Sequence, residues 1–158
     1  MTQRSFSLDL TDPDATTQLA KTIAPRLGAG DVLLFTGDIG AGKTHFARAL
    51  IQSLLPEPED VPSPTFTLVQ IYEVYQFEIW HADLYRLTSP DEVVELGLID
   101  AFSDALCLVE WPDRLAELAP SSALSVSMRM TEHPGQRALT FTWEAAKWDE
   151  KLAGLDDL

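Results

Sequence analysis

Residues 37–44 read Gly-Asp-Ile-Gly-Ala-Gly-Lys-Thr, a match to the phosphate-binding loop G-x-x-x-x-G-K-[ST]. No other feature constrains the fold as much, because the loop works in one setting only, between a strand and a helix. Both flanks are legible. Residues 31–36, Asp-Val-Leu-Leu-Phe-Thr, form a short apolar run of the kind that makes a buried strand. Beyond the loop, Phe46, Ala47, Leu50, Ile51 and Leu54 recur at helical spacing over residues 45–55. Glycine at 37, 40 and 42 lets the backbone approach an anion, and the loop amides and helix N-terminus point at bound phosphates. In that setting Lys43 reaches the β- and γ-phosphates, and the Thr44 hydroxyl ligates Mg²⁺. Asp38, Ile39, Gly40, Ala41, Gly42, Lys43 and Thr44 are therefore the candidate nucleotide contacts. The alternative is a chance match in an ordinary Gly-rich turn, and the flanking strand and helix argue against it.

A chain of 158 residues suits one domain, here residues 1–158, with 144–158 expected to be helical or a frayed tail. The lone Cys107 rules out an internal disulfide and argues against a zinc cluster. It lies in the apolar run 105–109, where a buried structural thiol is expected. No apolar run approaches a membrane span and the N-terminus lacks an apolar signal core, so a soluble cytoplasmic protein is expected. The net charge of −14 is unevenly spread. Residues 1–55 hold five basic and five acidic side chains, whereas 56–158 hold six basic and twenty acidic. Such a surface disfavours direct binding to phosphate backbones. No DNA contact is expected, and RNA would be held by something else. The plainer alternative is that the acidity serves solubility.

Taken in order, residues 5–10 alternate polar and apolar, as a half-buried strand does. Thr11 and Asp12 before Pro13 read as a helix start, and Leu19, Ile23 and Leu27 carry that helix towards Gly28. Residues 56–62 are proline-rich and read as an exposed connector. Ser63-Pro64-Thr65-Phe66-Thr67 follows, a hydroxyl-rich stretch placed where a P-loop NTPase keeps its first switch, or else a plain turn entering a strand. The runs ending at Tyr72 and spanning 77–83 suggest a hairpin. Ser89-Pro90-Asp91-Glu92 is a helix start with Ser as cap, and Gly97 closes that helix. Residues 99–102 read as a short turn. Residues 105–109 read as a buried strand stopped by Pro112, and Leu115 and Leu118 as a short helix. Residues 124–130 and 138–143 read as a second hairpin. The expected fold is a single-domain α/β, P-loop NTPase-like mixed sheet flanked by helices, with antiparallel hairpins.

A P-loop site needs a second carboxylate for its metal, normally at a strand end. Glu110 follows Leu106-Cys107-Leu108-Val109 directly, and the pattern assigns Mg²⁺ to it. Asp83 ends a more polar strand and takes a water-orienting or switch role. Either carboxylate could instead cap the turn that follows it. A guanine-specific site would offer Asn/Thr-Lys-x-Asp. The chain has no asparagine, and its nearest match, Ala146-Lys147-Trp148-Asp149, has alanine at the first place. ATP is favoured by elimination.

Four motifs stand in order: the loop at 37–44, Ser-Pro-Thr-Phe at 63–66, His-Ala-Asp-Leu-Tyr-Arg at 81–86 and Leu-Val-Glu-Trp-Pro at 108–112. Together they resemble the bacterial TsaE family (formerly YjeE), the ATPase of tRNA threonylcarbamoyladenosine synthesis, over nearly the whole chain. The resemblance implies a small mixed α/β protein that binds Mg-ATP and docks on a TsaD–TsaB pair. That pair transfers threonylcarbamoyl to the adenosine beside the tRNA anticodon. Residue by residue, it implies phosphates on residues 40–44, Mg²⁺ on Thr44 and Glu110, and Asp83 needed for hydrolysis. It also implies Thr65 in a switch-like segment, Trp111 following the metal glutamate, and Arg137 as the arginine near the last hairpin that contacts nucleotide. His45 replaces a commoner small or hydroxyl residue and is not expected to touch phosphates.

Two rivals share the loop: a small-molecule kinase and a nucleotide-gated binding module. A kinase usually needs several arginines and a closing lid. After Arg48 only Arg86, Arg114, Arg129 and Arg137 remain, with no lid-sized insertion. The same scarcity suggests slow hydrolysis in the isolated chain, with Arg86, beside Asp83, as the internal candidate.

Overall fold

The structure is a computed structural model that describes residues 2–155. Alternation along Arg4–Leu10 makes the first strand, β1. Helix α1, Pro13–Ile23, starts on Asp12, whose carboxylate accepts from the Ala15 amide at 2.8 Å. It stops earlier than the Leu27 spacing suggests. Pro25 has no N–H for a helical bond, and residues Ala24–Arg26 tighten into a 3-10 turn. Strand β2, Val32–Thr36, leads into the loop, and α2, Lys43–Leu54, leaves it. The connector at 56–62 is exposed except at Val61, whose side chain is buried and whose carbonyl accepts from Arg48 Nε at 2.8 Å.

The first hairpin pairs β3, Val69–Glu73, with β4, Glu78–Asp83. Helix α3, Pro90–Glu95, follows Ser89, but the Ser89 hydroxyl makes no capping bond. Glu92 instead accepts from the Thr88 hydroxyl at 2.6 Å. Gly97, at φ +81°, ends that helix and opens another, α4, Leu98–Asp104, where the sequence suggests only a turn. Strand β5, Leu106–Glu110, is buried at every position. A kinked 3-10 stretch, Pro112–Leu118, leads to the second hairpin, β6, Leu124–Met130, and β7, Arg137–Trp143.

Among the described residues seven strands form one mixed sheet in the order β1-β7-β6-β2-β5-β4-β3. Strands β4, β5, β2 and β6 run parallel, while β7 and β3 run antiparallel to their neighbours. Period-two alternation divides the core. Leu33, Phe35, Leu106, Leu108 and Ile79 share one cluster with Phe46, Leu50 and Ile51 of α2 and Leu19 and Ile23 of α1. Val32, Leu34, Cys107, Val109 and Ala82 face the other way, towards Val93, Leu98, Ala101 and Leu115. Each fully buried large apolar side chain is worth roughly 1.5–3 kcal/mol, so α2 is held by its buried stripe rather than by intrinsic propensity.

The stretch 144–158, expected to be helical or frayed, is helical in part. Trp148 of the short α5, Lys147–Lys151, is fully buried, and Leu152 and Leu155 join the α1–α2 side of the core. Buried Asp31, just before β2, holds this segment through Lys147 Nζ at 2.9 Å and through Lys151 Nζ. Residues 156–158 of the expected tail lie outside the described residues.

Candidate functional site

Parallel pairing brings the ends of β2, β5 and β4 to one edge of the sheet. Phe35 pairs with Glu110 and Glu110 with Asp83, so the two carboxylates lie side by side where the loop leaves β2. Both fall on the α2 face, continuing the Leu106-Leu108 and Ile79-His81 alternation. Both are buried, at 2% exposure for Glu110 and 6% for Asp83.

The loop fits closely against β6. A Cβ on Gly37, at φ +144°, would lie 2.2 Å from the Met128 carbonyl oxygen, so only glycine passes there. Lys43 is 5% exposed. Its ammonium donates to the carbonyls of Gly37 and Asp38, the latter at 3.2 Å, and sits 3.8 Å from the centre of the Trp111 ring. Burial pulls its pKa below the usual lysine range, against the opposing pull of Glu110, Asp83 and Asp38. Trp111 holds this place with φ 60° and ψ 53°, a left-handed conformation that costs a non-glycine residue about 1–2 kcal/mol. Tyr85 packs against its ring at 4.8 Å between centroids, with the two planes tilted by 53°.

Thr44 Oγ1 donates to Glu110 Oε1 at 2.6 Å. The other Glu110 oxygen lies 2.7 Å from His81 Nε2. Asp83 accepts from the Tyr85 amide at 3.0 Å and from the Thr65 hydroxyl at 3.3 Å. The second bond is long for O–H···O, so the Thr65 hydroxyl is only weakly held by Asp83. Thr65 also meets Ser63 Oγ at 2.8 Å. Leu68, at φ 70°, turns this segment into β3, and its carbonyl accepts from the Asp83 amide at 2.9 Å.

These groups line a cleft of about 580 Å³, within the range of small-molecule sites. Of the residues singled out from the sequence, Ile39, Gly40, Gly42, Lys43, Thr44, Thr65, Asp83, Glu110 and Arg137 line it. Asp38 and Ala41 do not line it and contribute backbone carbonyls that hold Lys43 and Arg137. The Asp38 carbonyl accepts from Lys43 and from the Ala41 amide, while the Ala41 side chain is in the core. Arg137 reaches over the loop, its Nε donating to the Ala41 carbonyl at 3.0 Å and its Nη2 to the Gly40 carbonyl at 3.2 Å. Arg86, the internal candidate for an arginine at the phosphates, is exposed and lies over the Phe66 ring at 5.6 Å, and is not among the residues lining the cleft. His45 lines the cleft, but its Nε2 meets Thr17 Oγ1 and the Pro13 carbonyl, each at 3.1 Å. Sequence reasoning passed over Pro13, Thr16 and Tyr85 as cleft residues and His81 as a partner of Glu110. Of these only His81 carried a signal, as a polar residue two before Asp83 on an otherwise apolar strand face.

The donor chemistry suits Mg²⁺. Among the described residues no group of three or more His, Cys, Asp or Glu is set to hold a metal. Mg²⁺ at nucleotide sites needs no such group, drawing on one or two protein oxygens plus phosphates and water. Thr44 Oγ1 and Glu110 Oε1 are two hard oxygen donors that already touch.

A mixed sheet with a glycine loop at the ends of its parallel strands defines a P-loop NTPase-like protein. Comparison with known proteins narrows the class. Residues 10–139 match the family model described as threonylcarbamoyl adenosine biosynthesis protein TsaE. The chain is 39% identical to TsaE of Rickettsia bellii over 123 residues, covering 78% of this chain and 85% of that one. It is 36% identical to TsaE of Bacillus subtilis over 151 residues, covering 93% of each. A crystal structure of Bacillus subtilis YdiB superposes with a TM-score of 0.78 at 25% identity, covering 99% of this chain and 97% of that one. The chain belongs to the TsaE family, whose members take part in tRNA threonylcarbamoyladenosine biosynthesis. Among the described residues no helix is long and apolar enough to cross a membrane.

Proposed function

We propose that the chain is a Mg²⁺-dependent ATPase of one domain that binds ATP in this cleft and hydrolyses it slowly when alone. It acts in the cytoplasm on a TsaD–TsaB-like pair and meets tRNA only through that pair. The observation that carries the reading is the 2.6 Å bond from Thr44 to Glu110, which joins the last residue of the loop to a strand-end carboxylate. Phosphates would lie on the amides of residues 40–44. Lys43 would exchange its loop carbonyls for them, and Arg137 would flank them. Thr44 and Glu110 would hold the Mg²⁺, which when bound neutralises charge on the phosphates. Asp83 is the carboxylate left to orient the attacking water, with Thr65 as its switch-segment partner.

Slow turnover follows from charge placement. A well-placed arginine is worth roughly 10³–10⁵ in the hydrolysis of a nucleotide γ-phosphate. Arg86 stands outside the cleft, and Arg137 is engaged with loop carbonyls. Docking on the partner pair would act on residues 63–66 and on exposed Tyr85 and Arg86, since 81–84 are already buried, and would speed hydrolysis, which then resets the partner rather than driving the transfer chemistry. The net charge of −14 also supports indirect contact with tRNA. The test is phosphate release against partner concentration, with Arg86→Ala alongside. Stimulation by the cognate pair is expected. A fast rate without partner, or no stimulation, would refute the reading.

A further inference from the structure

His81 is fully buried on β4, beneath the helix that carries Thr44, and is not among the residues lining the cleft. Its neighbour two positions earlier on the same face, Ile79, packs in the apolar core, as does its register partner Leu108. What His81 adds is one bond, from Nε2 to Glu110 Oε2 at 2.7 Å, while Nδ1 is buried without a partner. An ionised carboxylate only accepts, so the ring nitrogen donates. The neutral Nε2–H tautomer then leaves Nδ1 without a proton, and no buried N–H goes unmatched.

We propose that His81 is a positioning residue for the metal-binding carboxylate. By engaging Oε2 it stops the Glu110 carboxylate from rotating about its last bond. Oε1 is thereby left for Thr44 and the Mg²⁺. The inference rests on the reading that Glu110 holds Mg²⁺. Outer partners of this kind typically alter metal affinity about 10–100-fold when removed.

The test titrates Mg²⁺ against binding of a fluorescent ATP analogue to the intact chain, unaltered and as His81→Leu, His81→Gln and His81→Asn, with thermal melts to verify folding. Glutamine can offer an amide nitrogen near the place of Nε2, whereas the shorter asparagine cannot. His81→Leu is expected to raise the Mg²⁺ midpoint about 10–100-fold while leaving metal-free nucleotide affinity unchanged. His81→Gln should recover most of that loss and His81→Asn should not, a contrast that decides the matter even if His81→Leu fails to fold. An unchanged midpoint in the folded variants would overturn the inference alone, as would a parallel fall in metal-free affinity. No Mg²⁺ dependence in the unaltered chain would overturn the underlying reading and the inference together.

Discussion

Thr44 Oγ1 and Glu110 Oε1 meet at 2.6 Å across a separation of 66 residues. The contact exists because β2 and β5 are parallel neighbours, with Phe35 opposite Glu110. The loop returns α2 over the same edge, and Thr44 sits in the first turn of that helix. A hydroxyl and a carboxylate so placed are two hard oxygens within reach of one cation.

Lys43 should matter to nucleotide and little to the fold. Its ammonium bonds loop carbonyls and lies over the Trp111 ring, and Lys43 belongs to neither apolar cluster, so Lys43→Ala leaves both clusters intact. Hydrogen bonds to charged groups contribute about 1.5–3 kcal/mol, which predicts a roughly 10–100-fold fall in ATP affinity by calorimetry. The melting temperature should stay close to that of the parent. Unchanged affinity and turnover would refute the phosphate assignment.

Two glycines of the loop should behave differently. Gly37→Ala drives a Cβ to 2.2 Å from backbone, so the loop or β6 must move. A loss above about 2 kcal/mol in denaturant unfolding is expected, with impaired ATP binding. Gly40→Ala meets nothing within 4 Å and bears only the cost of its φ of +85°, about 1–2 kcal/mol. Equal losses would contradict the described packing of the loop on Met128.

Much of this was legible in residues alone. The strand before the loop, the helix after it, both hairpins and the buried β5 follow from periodicity, which local sequence carries directly. Pairing partners are not local. Nothing in residues 79–83 announces that β4 lies beside β5, and so the bond between His81 and Glu110 is invisible until the register places them together. The place of Arg86 is likewise not local information: it stands beside Asp83 in sequence, yet the chain turns after Leu84 and the guanidinium lies over Phe66. The tail's anchors, Trp148, Leu152 and Leu155, share a cluster with α1 and α2, which residues 144–158 alone do not announce. Their partners lie on the far side of the sequence.

Cys107 tests the two-sided burial of β5. Burial pushes its thiol from an ordinary 9.0 up to about 12. The folded state therefore favours the neutral thiol. That contribution to stability is complete below pH 9.0 and is lost as the pH climbs towards about 12. A thiol-reactive disulfide reagent at pH about 8 should label the unfolded chain rapidly and the native chain only through unfolding. Rapid native labelling would mean that β5 is not enclosed on both faces.

The most direct measurement is the Mg²⁺ dependence of ATP binding and turnover in Glu110→Ala and Asp83→Ala side by side. If Glu110 holds the metal and Asp83 orients the water, Glu110→Ala raises the Mg²⁺ needed for activity. Asp83→Ala then keeps ATP binding and its Mg²⁺ midpoint but loses turnover. Equal effects of the two substitutions on Mg²⁺ dependence would contradict this division between the adjacent carboxylates.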